Sequence, residues 1–367
     1  MLTTHLLLAV MTLIAPNSKS SGFYVGTYTS PGGSQGIYHG KLNSATGELT
    51  VPDLAAQVSD PSFVALDSKG KFLYAAIESS EGQANAYAIG PDHKLTLLNS
   101  QTAKAPGPCH ISVDPKRHAV LMASYGGGAG VSFPIKADGS LESAATVFQN
   151  SGTGPNHSRQ DGPHMHSATA DSMGKFVYMC DLGTDEIFGF KFHEATLIAL
   201  KPRSTHTPPG SGPRHLAFRP DGKYLYVNSE MTSEVGVYTV NTKTGALALI
   251  QTISTLPKSA DANKNTTAEI KCHPNGKWLY VSNRGHDSIA VYKISPDGKL
   301  AIVEIHPAGV SEPRGFDLDP SGKWLVVAGQ NSNDLSSIAI EPLSGKLKNS
   351  GHHIAMSKPV CVAFDPQ

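Results

Sequence analysis

Apolar residues along this chain come in short stretches, many of them alternating with polar ones, and each stretch is cut off by Gly, Pro, Asp or Asn. Period-two alternation marks half-buried strands, and such punctuation marks tight turns. Two phrases recur. The first is a Pro, a short apolar stretch, a turn of the Asp-x-x-Gly type and an apolar strand rich in Tyr. It begins at Pro61, Pro108, Pro163, Pro213, Ala268, Pro313 and Pro359; one copy runs from Pro213 through Gly222 to Tyr226. The second is a turn followed by Leu: Gly47-Glu-Leu49, His93-Lys-Leu95, Gly139-Ser-Leu141, Ala195-Thr-Leu197, Gly245-Ala-Leu247, Gly298-Lys-Leu300 and Gly345-Lys-Leu347. The phrases alternate, so each repeat of about fifty residues holds two hairpins, or four strands.

Seven four-stranded units at this period predict an all-β fold, a seven-bladed β-propeller of antiparallel blades. A single small sheet cannot cover its own faces, whereas seven around an axis bury both faces of each. Two stacked sandwiches would not explain the shared phrases. The seventh copy of the first phrase stops at its turn, near Pro366. Phe23-Tyr-Val-Gly-Thr-Tyr28 matches the missing Tyr-rich strand, so the ring is expected to close by pairing of the N- and C-terminal segments.

The length of 367 residues suggests two or three domains by itself. The repeat replaces this with one propeller domain over 21–367, after a leader over 1–20. Residues 7–14 are mostly apolar but too few to span a bilayer. With Ser18-Lys19-Ser20 behind them they read as a secretory signal, although no Lys or Arg precedes them. The expected location is periplasmic or secreted if that signal operates, and cytoplasmic otherwise. No later run is apolar enough to cross a membrane.

Gly and Pro are abundant (36 and 25 residues) and charged residues are only 16%, which suits turns and strands over long helices. Lys+Arg and Asp+Glu are both 30, so there is no basic excess of the kind nucleic-acid binders show. Cys109, Cys180, Cys272 and Cys361 fall in different repeats without a CxxC, and are expected as buried thiols.

In each unit, the residue after the first phrase's leading position and the residue about 16 further on should meet at one end of an antiparallel hairpin. The leading positions are Ser62, Cys109, His164, Arg214, Glu269, Arg314 and Val360; the trailing ones are Glu78, Tyr125, Leu182, Glu230, Arg284, Gln330 and Tyr28. Six charged residues thus gather on one rim of a charge-poor chain. His164 joins them, and His166, two residues on, is expected on the same face. Inter-blade ion pairs, Arg214 with Glu230 and Glu269 with Arg284, would account for part of this. Three guanidiniums around an opening would also hold an anion, and a carboxylate and an imidazole could move protons.

His164-x-His166 lacks a third ligand at a familiar spacing, and no metal or other cofactor is expected. Gly126-Gly-Gly-Ala-Gly130 lacks the Lys-Ser/Thr of a phosphate loop and reads as a hairpin loop. Cys109 has no partner visible in sequence that would make it a nucleophile.

Gly162-Pro-His-Met-His-Ser167, Gly212-Pro-Arg-His215, Asn228-Ser-Glu230 and Ser282-Asn-Arg-Gly-His-Asp-Ser-Ile289, in this order and spacing, resemble the seven-bladed propeller lactonase family. That family includes the propeller-type 6-phosphogluconolactonase and is related to carboxy-cis,cis-muconate cyclase. The resemblance covers nearly the whole chain. It implies lactone chemistry without a metal, with a His, two Arg and a Glu held here by His164 or His166, Arg214, Arg284 and Glu230. Arg314, Gln330 and Tyr125 on the rim, and His215 and His286 in the motifs, are the expected substrate-binding residues. The implied partner is a small anionic lactone or sugar acid of carbohydrate metabolism, as in the pentose phosphate route, met by a monomer. Glu230 or the histidine would activate water. The alternatives are a carboxymuconate-type cycloisomerase and a non-catalytic propeller that only binds.

Overall fold

The computed structural model describes residues 20–366, so the expected leader lies outside the described residues apart from Ser20. Seven four-stranded antiparallel sheets stand around an axis. The innermost strands are the apolar stretches of the first phrase: β4 (Pro61–Leu66), β8 (Pro108–Val113), β12 (Met165–Ala170), β16 (Pro213–Phe218), β20 (Thr266–Cys272), β24 (Pro313–Leu318) and β28 (Pro359–Phe364). Each packs beside the next, and β28 packs beside β4, so the ring is closed. The closing sheet runs β28, β1 (Ser20–Thr27), β2 (Gly36–Asn43), β3 (Asp53–Gln57), with Tyr24 opposite Ala363 and Val25 opposite Val362. Both ends of the described chain therefore share one blade, as the repeat predicted.

The turn of the first phrase owes its conformation to its first and last residues. Asp67 accepts the backbone N–H groups of Lys71 and Phe72; Asp171 does so for Lys175 and Phe176, and Asp319 for Lys323 and Trp324. The Gly that follows, such as Gly70 or Gly322, takes a positive φ that other residues reach only at a cost.

One contact explains why the two phrases alternate. Tyr74 donates its hydroxyl hydrogen to the Gly139 carbonyl of the next blade, and Tyr178, Tyr226 and Tyr280 do the same to Gly245, Gly298 and Gly345. Tyr24 reaches His93 in this way. Two blades lack that Tyr, and a serine supplies the bond: Ser132 donates to Ala195, and Ser337 to Gly47. Every turn of the second phrase is thereby tied to the preceding blade. Seven buried apolar clusters fill the seven interfaces between blades. All four cysteines are free thiols; Cys109, Cys180 and Cys361 are buried, and Cys272 is half-buried.

Candidate active site

At the end of the inner strands where the first phrase begins, the pairing register slips in every blade: between Pro108 and His110, Met165 and Ser167, Pro213 and Leu216, Thr267 and Ile270, and at equivalent places elsewhere. Such bulges re-aim side chains, and here they point several toward the axis. The result is a cavity of about 290 Å³ at one mouth of the axial channel. Its walls include Arg159, Arg214, Arg284, Arg314, Glu78, Glu230, Tyr125 and His166. Four guanidiniums against two carboxylates leave an excess of two positive charges.

Glu230, directly after β17 (Tyr224–Ser229), is held by its backbone N–H on the Gly212 carbonyl. Its Oε1 accepts from Arg159 Nη2 at 2.6 Å and its Oε2 from Arg214 Nε at 2.9 Å, with Arg284 Nη2 3.2 Å away. Burial alone would raise this carboxyl. Arg284 and Arg214, with the Arg159 hydrogen bond, outweigh that and hold it well below the usual carboxylate range. Arg214 is fixed further by the Ala268 carbonyl, and Arg284 by that of Thr267. Burial, and then the like charge of Arg284, bring Arg214 down to about 10, so it remains charged. Arg284 Nε is buried without a hydrogen-bond partner among the described residues. Arg314 donates to the Tyr28 hydroxyl, which donates to Glu78.

His166 Nε2 lies 3.7 Å from Glu230 Oε2, and the ring meets Tyr125 edge-on. Burial, followed by Arg214 and His215, pushes the imidazole well below its ordinary value, so it is neutral at pH 7. Cys109 Sγ stands 3.7 Å from its Nδ1, but burial pushes that thiol up to about 12, so the group is not a thiolate.

The structure separates the two histidines. The bulge after Met165 breaks the expected alternation, and His164 is not on the face of His166. Its ring stacks on the back of Tyr125 at 4.3 Å and bonds to the Tyr125 carbonyl, outside the cavity lining. His215 is also outside. It bonds to Glu269 and belongs to a second cavity of about 460 Å³ at the opposite mouth. Glu269 lies there too, and its expected pairing with Arg284 is replaced by that with His215. The rings of Phe63, His110, His215 and His166 stand between the two mouths in edge or tilted contacts. His286 bonds to Ser288 on an outer turn, and Gln330 is held by its backbone on Glu312; neither lines the cavity. Tyr125, Arg214, Arg284, Arg314, Glu230 and His166 are the expected site residues that meet, and Glu78 and Cys109, also expected on this rim, join them.

Arg159 was not expected. It sits in the Gly-, Asn- and Ser-rich stretch between β11 (Thr146–Gln149) and β12, and no repeat position flags it. That stretch is long for a connection in a compact domain, which is the signal that could have drawn attention to it. Gln160, fully buried, pins the loop by donating to the Leu182 carbonyl and accepting from the Asn156 N–H.

Residues 22–364 match the family described as Lactonase, 7-bladed beta-propeller. A 6-phosphogluconolactonase of Bacillus subtilis is 37% identical over 345 residues, covering 93% of this chain and 97% of the relative. Another of that name from Formosa agariphila is 30% identical, over 89% of this chain and 94% of its own length. The structure of the Pseudomonas aeruginosa periplasmic gluconolactonase superposes with a TM-score of 0.88 at 29% identity, covering 95% of this chain and 99% of that one.

Proposed function

The chain belongs to the seven-bladed β-propeller lactonase family, and from that premise we propose that it hydrolyses an anionic sugar δ-lactone, of the 6-phosphogluconolactone type, to the acid. The observation that carries the anionic preference is the set of four guanidiniums around one small axial cavity, with two positive charges in excess. A phosphate on the sugar would balance that excess, and paired guanidinium hydrogen bonds suit its oxygens.

His166 serves as the base in this reading and Glu230 as an anchor. Both Glu230 oxygens are engaged by arginines and its carboxyl is a weak proton acceptor. The neutral imidazole has a lone pair free for a water proton. The water oxygen bonds to the lactone carbonyl carbon while its proton moves to His166. The resulting oxyanion is met by the guanidiniums of Arg214 and Arg284. Collapse breaks the bond from the carbonyl carbon to the ring oxygen, which takes the proton back from His166. The free acid then ionises and releases one proton to solvent. Burial and then Arg214 lower the basicity of His166 in the empty site; the negative charge of an arriving substrate offsets the Arg214 part, so the base strengthens once its substrate is bound.

A pH-indicator assay comparing 6-phosphoglucono-δ-lactone with glucono-δ-lactone tests the proposal. The phosphorylated lactone should show a kcat/KM higher by ten-fold or more. Equal rates on both would remove the anionic preference, and no acid release from either would remove hydrolysis. A higher kcat/KM on the neutral lactone would overturn the anionic preference and would fit an enzyme exported by its leader, where phosphorylated sugars are scarce.

A further inference from the structure

Three side chains far apart in sequence meet at the seam where the ring closes. His39 comes from β2, Asp365 from the segment after β28, and His93 from the turn between β6 (Gln83–Ile89) and β7 (Leu95–Thr102) of the neighbouring blade. His39 Nε2 is 3.2 Å and His93 Nδ1 3.8 Å from Asp365 Oδ2. One ligand atom from each lies within 4.8 Å of the other two.

Two departures from the repeat create this cluster. At the second-phrase position of His93, five of the other six blades have Gly, and all of these turns have a positive φ. Gly takes that conformation freely, while a histidine at φ 61° is strained and needs a reason to persist. At the first-phrase position of Asp365, the carboxylates of Asp67, Asp171 and Asp319 accept N–H groups of their own turns. Asp365 instead faces His39 and His93. The space it enters exists because residue 22 is glycine: a Cβ there would stand 2.1 Å from Asp365 Oδ2 and 2.7 Å from His39 Nε2.

We propose that His39, His93 and Asp365 form a binding site for a divalent transition metal, zinc or a close analogue, that staples the closing blade to its neighbour. Two imidazole nitrogens and one carboxylate oxygen are a familiar zinc donor set, with a fourth position left for water. The two rings stack at 3.9 Å, so their lone pairs run side by side and must fan toward each other to share an ion. His93 can make that movement because its side chain is over a third exposed. Asp92 adds a further negative charge nearby and Lys41 opposes it. The ion would bind the closed ring and not the unfolded chain, so its affinity would appear as stability.

The test uses untagged protein freed of metal with a chelator. Calorimetric titration with Zn²⁺ should give one equivalent, and Zn²⁺ in hundred-fold excess over its Kd should raise Tm by several degrees. His93→Ala should abolish both while its metal-free Tm stays near that of the parent; Asp365→Asn should abolish both as well. A parent protein that gains no Tm with Zn²⁺ would overturn the proposal. So would one-equivalent binding that survives in both variants.

Discussion

His166 Nε2 stands 3.7 Å from Glu230 Oε2, too far for a good hydrogen bond yet close enough for the carboxylate to stabilise a proton on the ring. The two residues should therefore fail differently when replaced. His166→Ala should lower kcat by about 10²–10⁴ with little change in Tm, since a proton carrier is lost. Glu230→Gln leaves Arg159, Arg214 and Arg284 facing one another and should cost roughly 3–5 kcal/mol of stability as well as activity. Paired measurements of kcat and thermal unfolding separate the roles. A Glu230→Gln protein that melts like the parent would show that the carboxylate is no anchor.

The buried imidazoles give stability an acid limit. His110, His166 and His215 are each pushed below the ordinary value of 6.5, chiefly by burial, with His110 brought to about 3. The unfolded chain takes up those protons first as pH falls, so the stability present at pH 7 declines below 6.5. For His110 the loss amounts to about 2 kcal/mol by pH 5, and His166 and His215 act in the same direction. Glu230 adds a second stage: its folded carboxyl is depressed, so its contribution is complete above 4.5 and drains away in stronger acid. Thermal melts from pH 7.5 to 2.5 should show both. His110→Phe should flatten the first stage, and an identical slope in that variant would contradict the assignment.

Arg159 reaches the cavity from a loop and keeps its side chain over a third exposed. Arg159→Ala should thus fold, with a modest fall in Tm because Arg214 and Arg284 still hold the Glu230 carboxylate. Loss of one charged hydrogen bond to substrate predicts a KM about ten-fold higher for a phosphorylated lactone. The neutral lactone should be nearly unaffected. Parallel KM changes for both substrates would mean that Arg159 acts only through Glu230.

Gly183 packs against the backbone that leads into the site. A Cβ there would stand 1.9 Å from the Gly162 carbonyl oxygen and 2.8 Å from the His164 N–H. Backbone cannot swing away as a side chain can. Gly183→Ala should therefore cost about 1–3 kcal/mol and reduce kcat by displacing the strand that carries His166. Gly162→Ala, with nothing within 4 Å of its added Cβ, is the matched control and should do neither.

Blade number, strand count and ring closure were legible because each repeats: seven copies of the first phrase, six of them led by Pro, seven turn-Leu turns and one half-copy that needed the N-terminal strand to complete it. The shared rim was legible for the same reason, and it placed Arg214, Glu230, Arg284, Arg314 and Tyr125 together. What alternation could not show was the bulge at that rim. One inserted residue moves a side chain to the other face, which is why His164 leaves the cavity while His166 stays, and why His215 and Glu269 turn to the far mouth. Arg159 and the His39–His93–Asp365 cluster escaped because neither follows the repeat. The first lies in an inserted loop, and the second joins three blade elements whose separations carry no motif.

The pairing of β1 with β28 also sets an order of events. Arg314 touches Tyr28 across 286 positions of sequence, and the closing sheet joins the first and last described strands. Blades assembled from neighbouring hairpins can form early, since their contacts are local. Arg314, the part of the cavity wall that Tyr28 holds, waits for this pairing of the first and last described strands, among the most distant contacts and the slowest kind to form. Binding competence should accordingly be the last property gained on refolding and the first lost when the ring begins to open.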